Sequence, residues 1–178
     1  VFRRGGKAYL RAVDYKTGKK LFSIGDIDKK KNLQLLLYLY ALTDASYGGD
    51  SVPAAISYLS ASSEQTSVKG GADELFIKKS VVDEFKRSGL ILDNDDVISA
   101  VSHNADPRYL MVTGRKKTPP TVTAEAFDYL NDKIKTILKE VAADMRRGSA
   151  QARPSEDEDC KYCAYNMICR AAKKSKNY

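Results

Sequence analysis

The apolar positions of this chain change period several times, and each change marks an element. Residues 7–16 (KAYLRAVDYK) are rich in Tyr, Val and Leu and predict a β-strand. Arg4-Gly5-Gly6-Lys7 before it supplies a hairpin turn, and Thr17-Gly18-Lys19-Lys20 ends the strand. Residues 31–44 (KNLQLLLYLYALTD) have few polar interruptions, which predicts a helix buried on most sides. Residues 53–60 (PAAISYLS) predict a short buried strand, and the Ser- and Gly-rich stretch 61–72 a loop. A short helix is expected over 80–88, closed by Gly89. Asp93 is expected to cap another over 95–101. Residues 102–122, with the basic, Pro-rich GRKKTPP, predict irregular structure.

The clearest helix follows Thr123, its expected cap. Phe127, Leu130, Ile134, Leu138, Val141 and Met145 recur at spacings of three and four, and Gly148 is the stop signal. Polar, acidic residues 149–159 form a tether to the cysteine segment 160–170. There is no internal repeat. The order strand, helix, strand, helices predicts a mixed α/β fold, a central β-sheet flanked by helices.

Composition narrows the function classes. At 178 residues the chain can build one domain and a short module. Its formal net charge of +7 suits a polyanionic partner, although each basic cluster could equally be a solvated surface. The three cysteines all fall between 160 and 169, which is not a secreted disulfide framework. No signal peptide is evident, and the longest apolar run, LLLYLYAL at 35–42, is too short to span a bilayer. A soluble, cytoplasmic protein with no membrane partner is expected. The opening VFRRGGKAYL reads as the middle of a hairpin, so the chain is expected to be a piece of a longer protein.

Two polar pairs carry candidate chemistry. Asp14 and Lys16 are two apart on the predicted strand, so both side chains face one way. Phosphodiester hydrolysis needs a Mg²⁺ site and a group that orients a nucleophilic water, and an Asp and a Lys on one face could supply both. An exposed ion pair on an edge strand would have the same spacing. Gln34 and Tyr38 are four apart, on one face of a Leu-packed helix. They look either into the cleft beside Asp14 or out to solvent. Gly18-Lys19-Lys20 lacks the Ser or Thr and the earlier Gly of a nucleotide-binding loop, and no G-x-S-x-G is present.

VDYKTGKK at 13–20 followed by LQLLLYLYAL at 33–42 resembles the RecB-like nucleases of the PD-(D/E)XK superfamily, in which Asp-x-Lys precedes a Gln-x-x-x-Tyr helix. The resemblance implies a restriction-endonuclease-like core acting on DNA with Mg²⁺ or Mn²⁺. It implies Asp14 as a metal ligand, Lys16 as the catalytic lysine, the Tyr15 backbone carbonyl as a further ligand, and Gln34 and Tyr38 as an accessory motif. The family's first metal-binding Asp belongs to a preceding strand with no counterpart here. A core truncated at its N-terminus is therefore expected, and the fragment alone is expected to cut DNA poorly.

Cys160-x-x-Cys163-x5-Cys169 is a compact set of soft ligands, suited to zinc or an iron–sulfur cluster but one short of either. His103, the only histidine, has no zinc-motif spacing to it, and three buried thiols in a helix would show the same residues. CKYCAYNMIC at 160–169 resembles the end of iron–sulfur nucleases of ATP-dependent helicase/nuclease complexes. That resemblance implies a [4Fe–4S] cluster on Cys160, Cys163 and Cys169 with a fourth cysteine outside the chain. It also implies a heterodimer partner, the A-type subunit of such a helicase/nuclease. SGLILDNDDVISAV at 88–101 and the long helix resemble the same proteins, so the likeness covers essentially the whole chain. The expected division is a nuclease core over 1–148 and a tether with cysteine tail over 149–178. The expected function is exonuclease-type DNA cleavage in a bacterial complex for double-strand-break repair by recombination. The alternatives are a non-catalytic DNA-binding or scaffolding module and a small zinc-stabilised domain.

Overall fold

The computed structural model describes residues 1–45, 50–61, 87–102, 111–112 and 121–169. The chain forms two compact units, Val1–Lys135 and Thr136–Tyr178.

The first unit is built on a six-stranded mixed sheet. Strands β1 (Phe2–Arg4) and β2 (Lys7–Lys16) make an antiparallel hairpin. Gly5 and Gly6 turn it at φ of +58° and +79°, the left-handed pair that a two-residue hairpin loop with the right twist requires. A short helix α1 (Gly25–Asp28) follows, then α2 (Gln34–Asp44) and the eleven-residue β3 (Asp50–Ser60). β3 pairs in parallel with β2, so α2 is the crossover.

Helix α2 starts later than the apolar run suggested, because Lys30 and Asn32 have φ of +57° and +54° and break the helical path. It is also one-sided. Leu35, Leu36, Leu39 and Tyr40 are buried, whereas Gln34, Tyr38 and Ala41 are exposed. The exposed edge carries the Gln34–Tyr38 pair that the four-residue spacing put on one face.

Arg87–Leu92 forms β4, antiparallel to β3, which corrects the helix expected to end at Gly89. Residues 80–86 of that expected helix lie outside the described residues. Gly89 does not close a helix. A Cβ there would stand 1.8 Å from the Ile56 carbonyl oxygen, so only glycine lets β3 and β4 approach this closely. Helix α3 (Asp95–Ser102) follows, and its cap is Asn94 rather than Asp93: the Val97 N–H donates to Asn94 Oδ1 at 3.2 Å. Two short strands, β5 (Met111–Val112) and β6 (Thr121–Val122), pair in parallel with β4 within the stretch expected to be irregular. The rest of 103–120 and most of the expected 61–72 loop lie outside the described residues.

Helix α4 (Ala124–Arg146) starts as expected, with the Ala126 N–H donating to Thr123 Oγ1. Phe127, Leu130 and Ile134 are buried. Beyond them the buried position is Ile137, while Leu138, Val141 and Met145 are exposed, so the apolar stripe fades along the helix. The Tyr40 hydroxyl donates to the Phe127 carbonyl at 2.7 Å, a buried bond joining α2 to the start of α4. Burial, then the Asp128 charge, pushes the Tyr40 phenol well above its ordinary pKa.

In the second unit, α4 ends near Gly148, which has φ of +66° and donates to the Met145 carbonyl. Helix α5 (Glu158–Lys161) carries the first cysteine.

Candidate active site

Strand alternation sorts β2 into two faces. Ala8, Leu10 and Ala12 are buried beneath α2, and Asp14 and Lys16 continue that face toward the strand end. Tyr15 points to the opposite face and is 66% exposed. β2 lies between β1 and β3 in strand order, but β1 pairs only with Lys7–Tyr9, so at Asp14 the paired neighbour is β3 alone.

The four side chains picked out by spacing meet here. Lys16 Nζ lies 2.7 Å from Asp14 Oδ2 and donates to Gln34 Oε1 at 3.1 Å. Gln34 Nε2 donates to the Tyr38 hydroxyl at 2.8 Å. The path Asp14–Lys16–Gln34–Tyr38 is continuous and runs from the sheet onto α2. It also runs from inside to outside. The Asp14 side chain is 13% exposed and the Lys16 side chain 29%, while Tyr38 is 50% exposed.

The Asp14–Lys16 contact is a charge pair without hydrogen-bond alignment, because the buried Oδ2 has no aligned donor despite the short distance. The Asp14 carboxylate is an oxygen donor of the kind a divalent cation prefers, once the Lys16 ammonium moves off it.

Further groups belong to this neighbourhood, and period-two reasoning could not have found them. Tyr58 is the direct register partner of Asp14 across the parallel pair, so the two share a face. It is 2% exposed. Its ring carries Lys16 Nζ at 5.8 Å and Lys20 Nζ at 5.1 Å from the centroid. Burial first, then the Asp14 and Asp26 carboxylates, raises the Tyr58 phenol pKa and keeps it protonated. The only sequence signal was one polar-tipped aromatic inside an apolar strand. On its far side Tyr58 pairs with Ser88, whose hydroxyl accepts from the Phe22 N–H at 2.7 Å. That bond pins the segment carrying Lys20 to the sheet.

The opposite face holds a different cationic feature. Arg11 donates to Ser57 Oγ at 3.1 Å. Burial, then the nearby Arg87 charge, lowers its pKa to about 10.

The three cysteines are free thiols; Cys163 is exposed and Cys160 and Cys169 are half-buried. They lie on successive turns: the Cys163 N–H donates to the Cys160 carbonyl and the Cys169 N–H to the Tyr165 carbonyl. The Cys160 thiol pKa is raised, first by desolvation and then by the charges of Cys163 and Cys169. Among the described residues, however, no three His, Cys, Asp or Glu side chains are gathered to hold a metal. The donors suit a soft metal centre in kind but are not gathered on one point. His103 lies outside the described residues. No helix among the described residues is long and apolar enough to cross a membrane.

Comparison with known proteins agrees with this geometry. The chain is 30% identical, over 93% of its length, to the B-type subunit of the ATP-dependent helicase/deoxyribonuclease of Clostridium perfringens. It is 31% identical to the protein of that name in Clostridium botulinum (strain Loch Maree / Type A3), over 96% of its length, and 25% identical to that of Thermoanaerobacter pseudethanolicus, also over 96%. It spans 16% of the length of each of these relatives. The PD-(D/E)XK nuclease superfamily profile matches residues 1–170. That match covers nearly the whole chain, which carries an Asp-x-Lys strand beside a Gln-x-x-x-Tyr helix on a mixed sheet, and the chain belongs to the PD-(D/E)XK nuclease superfamily.

Proposed function

We propose that this chain is the nuclease domain of an ATP-dependent helicase/nuclease, hydrolysing phosphodiesters of DNA in a metal-dependent, exonuclease-type reaction for double-strand-break repair by recombination. The observation that carries this reading is the unbroken Asp14–Lys16–Gln34–Tyr38 contact path. The names of the relatives support the larger assembly.

Asp14 and the Tyr15 backbone carbonyl would hold Mg²⁺ or Mn²⁺. When bound, such a metal lowers the pKa of a water and stabilises charge on a phosphoryl oxygen. The remaining work falls to side chains. Asp14 neutralises Lys16 while no DNA is present. Lys16 presents its ammonium to the reacting phosphate, where negative charge builds up. Gln34 accepts a hydrogen bond from that ammonium and so fixes its direction. Tyr38, whose hydroxyl accepts from Gln34, keeps its own proton for a phosphate farther along the strand.

The formal charge of +7 favours a DNA partner. The A-type subunit of the helicase/nuclease is the proposed heterodimer partner, and a bacterial cytoplasm the proposed location. The proposed division places the nuclease core at 1–148 and the tether with its tail at 149–178. Cys160, Cys163 and Cys169 are the proposed ligands of a [4Fe–4S] cluster completed by a cysteine outside the chain.

The test is Mg²⁺-dependent degradation of linear duplex DNA by the intact protein with its helicase partner. Wild type should degrade the DNA, and Asp14→Ala should unwind without cutting. DNA binding by the wild type with no cleavage in Mg²⁺ or Mn²⁺ would make it a non-catalytic module instead.

A further inference from the structure

The strongest unexplained feature of the site is a pair of buried polar atoms with complementary chemistry. The Tyr58 hydroxyl is buried with no hydrogen-bond partner, and Asp14 Oδ2 is buried with no aligned donor. One is a donor and the other an acceptor. They belong to residues paired in register across β2 and β3, on one face of the sheet. Adjacent strands stand about 4.8 Å apart, which keeps such side chains in each other's company.

An unpaired buried hydroxyl is destabilising, and a phenylalanine would fill the same space without it. Packing alone therefore does not account for the oxygen. Lys16 neighbours both groups: its ammonium sits 2.7 Å from Oδ2 and 5.8 Å from the Tyr58 ring centroid. With Lys16 turned to a phosphate, Oδ2 would be left without its counter-ion, and Tyr58 would be the neighbouring donor on that face of the sheet.

We propose that Tyr58 is a positioning residue for Asp14, its hydroxyl donating to the carboxylate and orienting it when a divalent cation is bound. This inference rests on the reading of Asp14 as a metal ligand. Hydrogen-bond donors behind a ligating carboxylate fix its direction, and losing one typically weakens metal binding about 10–100-fold.

The test is Mn²⁺ binding to the intact protein without DNA, followed by electron paramagnetic resonance, in wild type, Tyr58→Phe and Asp14→Asn. Tyr58→Phe should weaken Mn²⁺ binding about tenfold or more while the thermal midpoint stays level or rises, because only an unpaired hydroxyl is lost. The Mg²⁺ concentration for half-maximal cleavage should rise in step, with the rate at saturating metal changed much less. Wild-type Mn²⁺ affinity in Tyr58→Phe, with binding lost in Asp14→Asn, overturns this inference and leaves the nuclease reading intact. Unchanged binding in Asp14→Asn overturns both. Weaker binding accompanied by a lowered thermal midpoint assigns Tyr58 to packing and also overturns it.

Discussion

The candidate active site and the cysteine tail carry the two chemical motifs of this chain, and they are held in opposite ways. Around Asp14 the fixing contacts join residues distant in sequence. Lys16 reaches Gln34, and the Phe22 N–H reaches Ser88 beside Tyr58, 66 residues away. Around the cysteines the bonds are local: Asp157 to Cys160, Cys160 to Cys163, Cys163 to Asn166, Tyr165 to Cys169. Tyr162, Tyr165, Met167 and Ile168 in that segment are all well exposed. The fold itself supplies the geometry of the first site. The second has local turns and exposed apolar side chains, with few buried contacts among its described residues.

This contrast can be broken most directly at Asp14. Asp14→Asn should keep the fold and lower the cleavage rate of the intact protein at least about 10²–10³-fold, the usual loss when one charged element of a catalytic centre is removed. Single-turnover cleavage with saturating Mg²⁺ measures it, and a rate within tenfold of wild type would remove Asp14 from the chemistry.

Next in size is Gly89→Ala. The new Cβ would meet Ile56 oxygen at 1.8 Å and Ser57 Cα at 2.8 Å, both backbone atoms that cannot swing aside. The substitution should cost about 3 kcal/mol or more, at or above the upper end of ordinary overpacking. Urea unfolding should show it, and a wild-type midpoint would mean that the β3–β4 approach is looser than described.

Tyr40→Phe is smaller. It leaves the Phe127 carbonyl without its buried donor and should cost about 1–2 kcal/mol in the same experiment, with cleavage unchanged at saturating metal.

The smallest effect expected on the core comes from the tail. Cys163→Ser should leave amide exchange across β2 and β3 as in wild type, while residues 157–169 exchange fast. Iron–sulfur reconstitution should slow exchange in the wild-type tail but not in the variant. Slow exchange in the metal-free tail would show that the local turns suffice.

The same contrast explains what could be read from the residues. β2, its Gly-Gly turn and the Thr123-capped helix were legible because each is written in consecutive residues. The meeting of Asp14 with Gln34 was legible because one period places each pair and the family motif links the two. Tyr58 was not, since its role depends on a parallel register set by a crossover. Gly89 misled for the same reason. A glycine after a polar stretch reads as a helix stop, and only the β3 backbone across from it reveals the close approach. Asn94 displaced Asp93 as the α3 cap because Asp93 donates its own N–H to the Val122 carbonyl and is tied to β6. The fading stripe of α4 was invisible in spacing alone, since Leu138 and Val141 keep the period but not the burial.

The parallel pairing of β2 with β3 has a consequence for how the protein is made. No tight turn can join parallel strands, so the site cannot assemble until α2 and β3 exist. Asp14 and Lys16 leave the ribosome 44 residues before the strand positions that face them. At about 5–20 residues per second, the nascent chain spends several seconds with both residues translated and neither in place. Synthesis order thus acts as a safety catch: a truncated product ending before Ser60 carries the charged residues of the site without the cleft that brings them together.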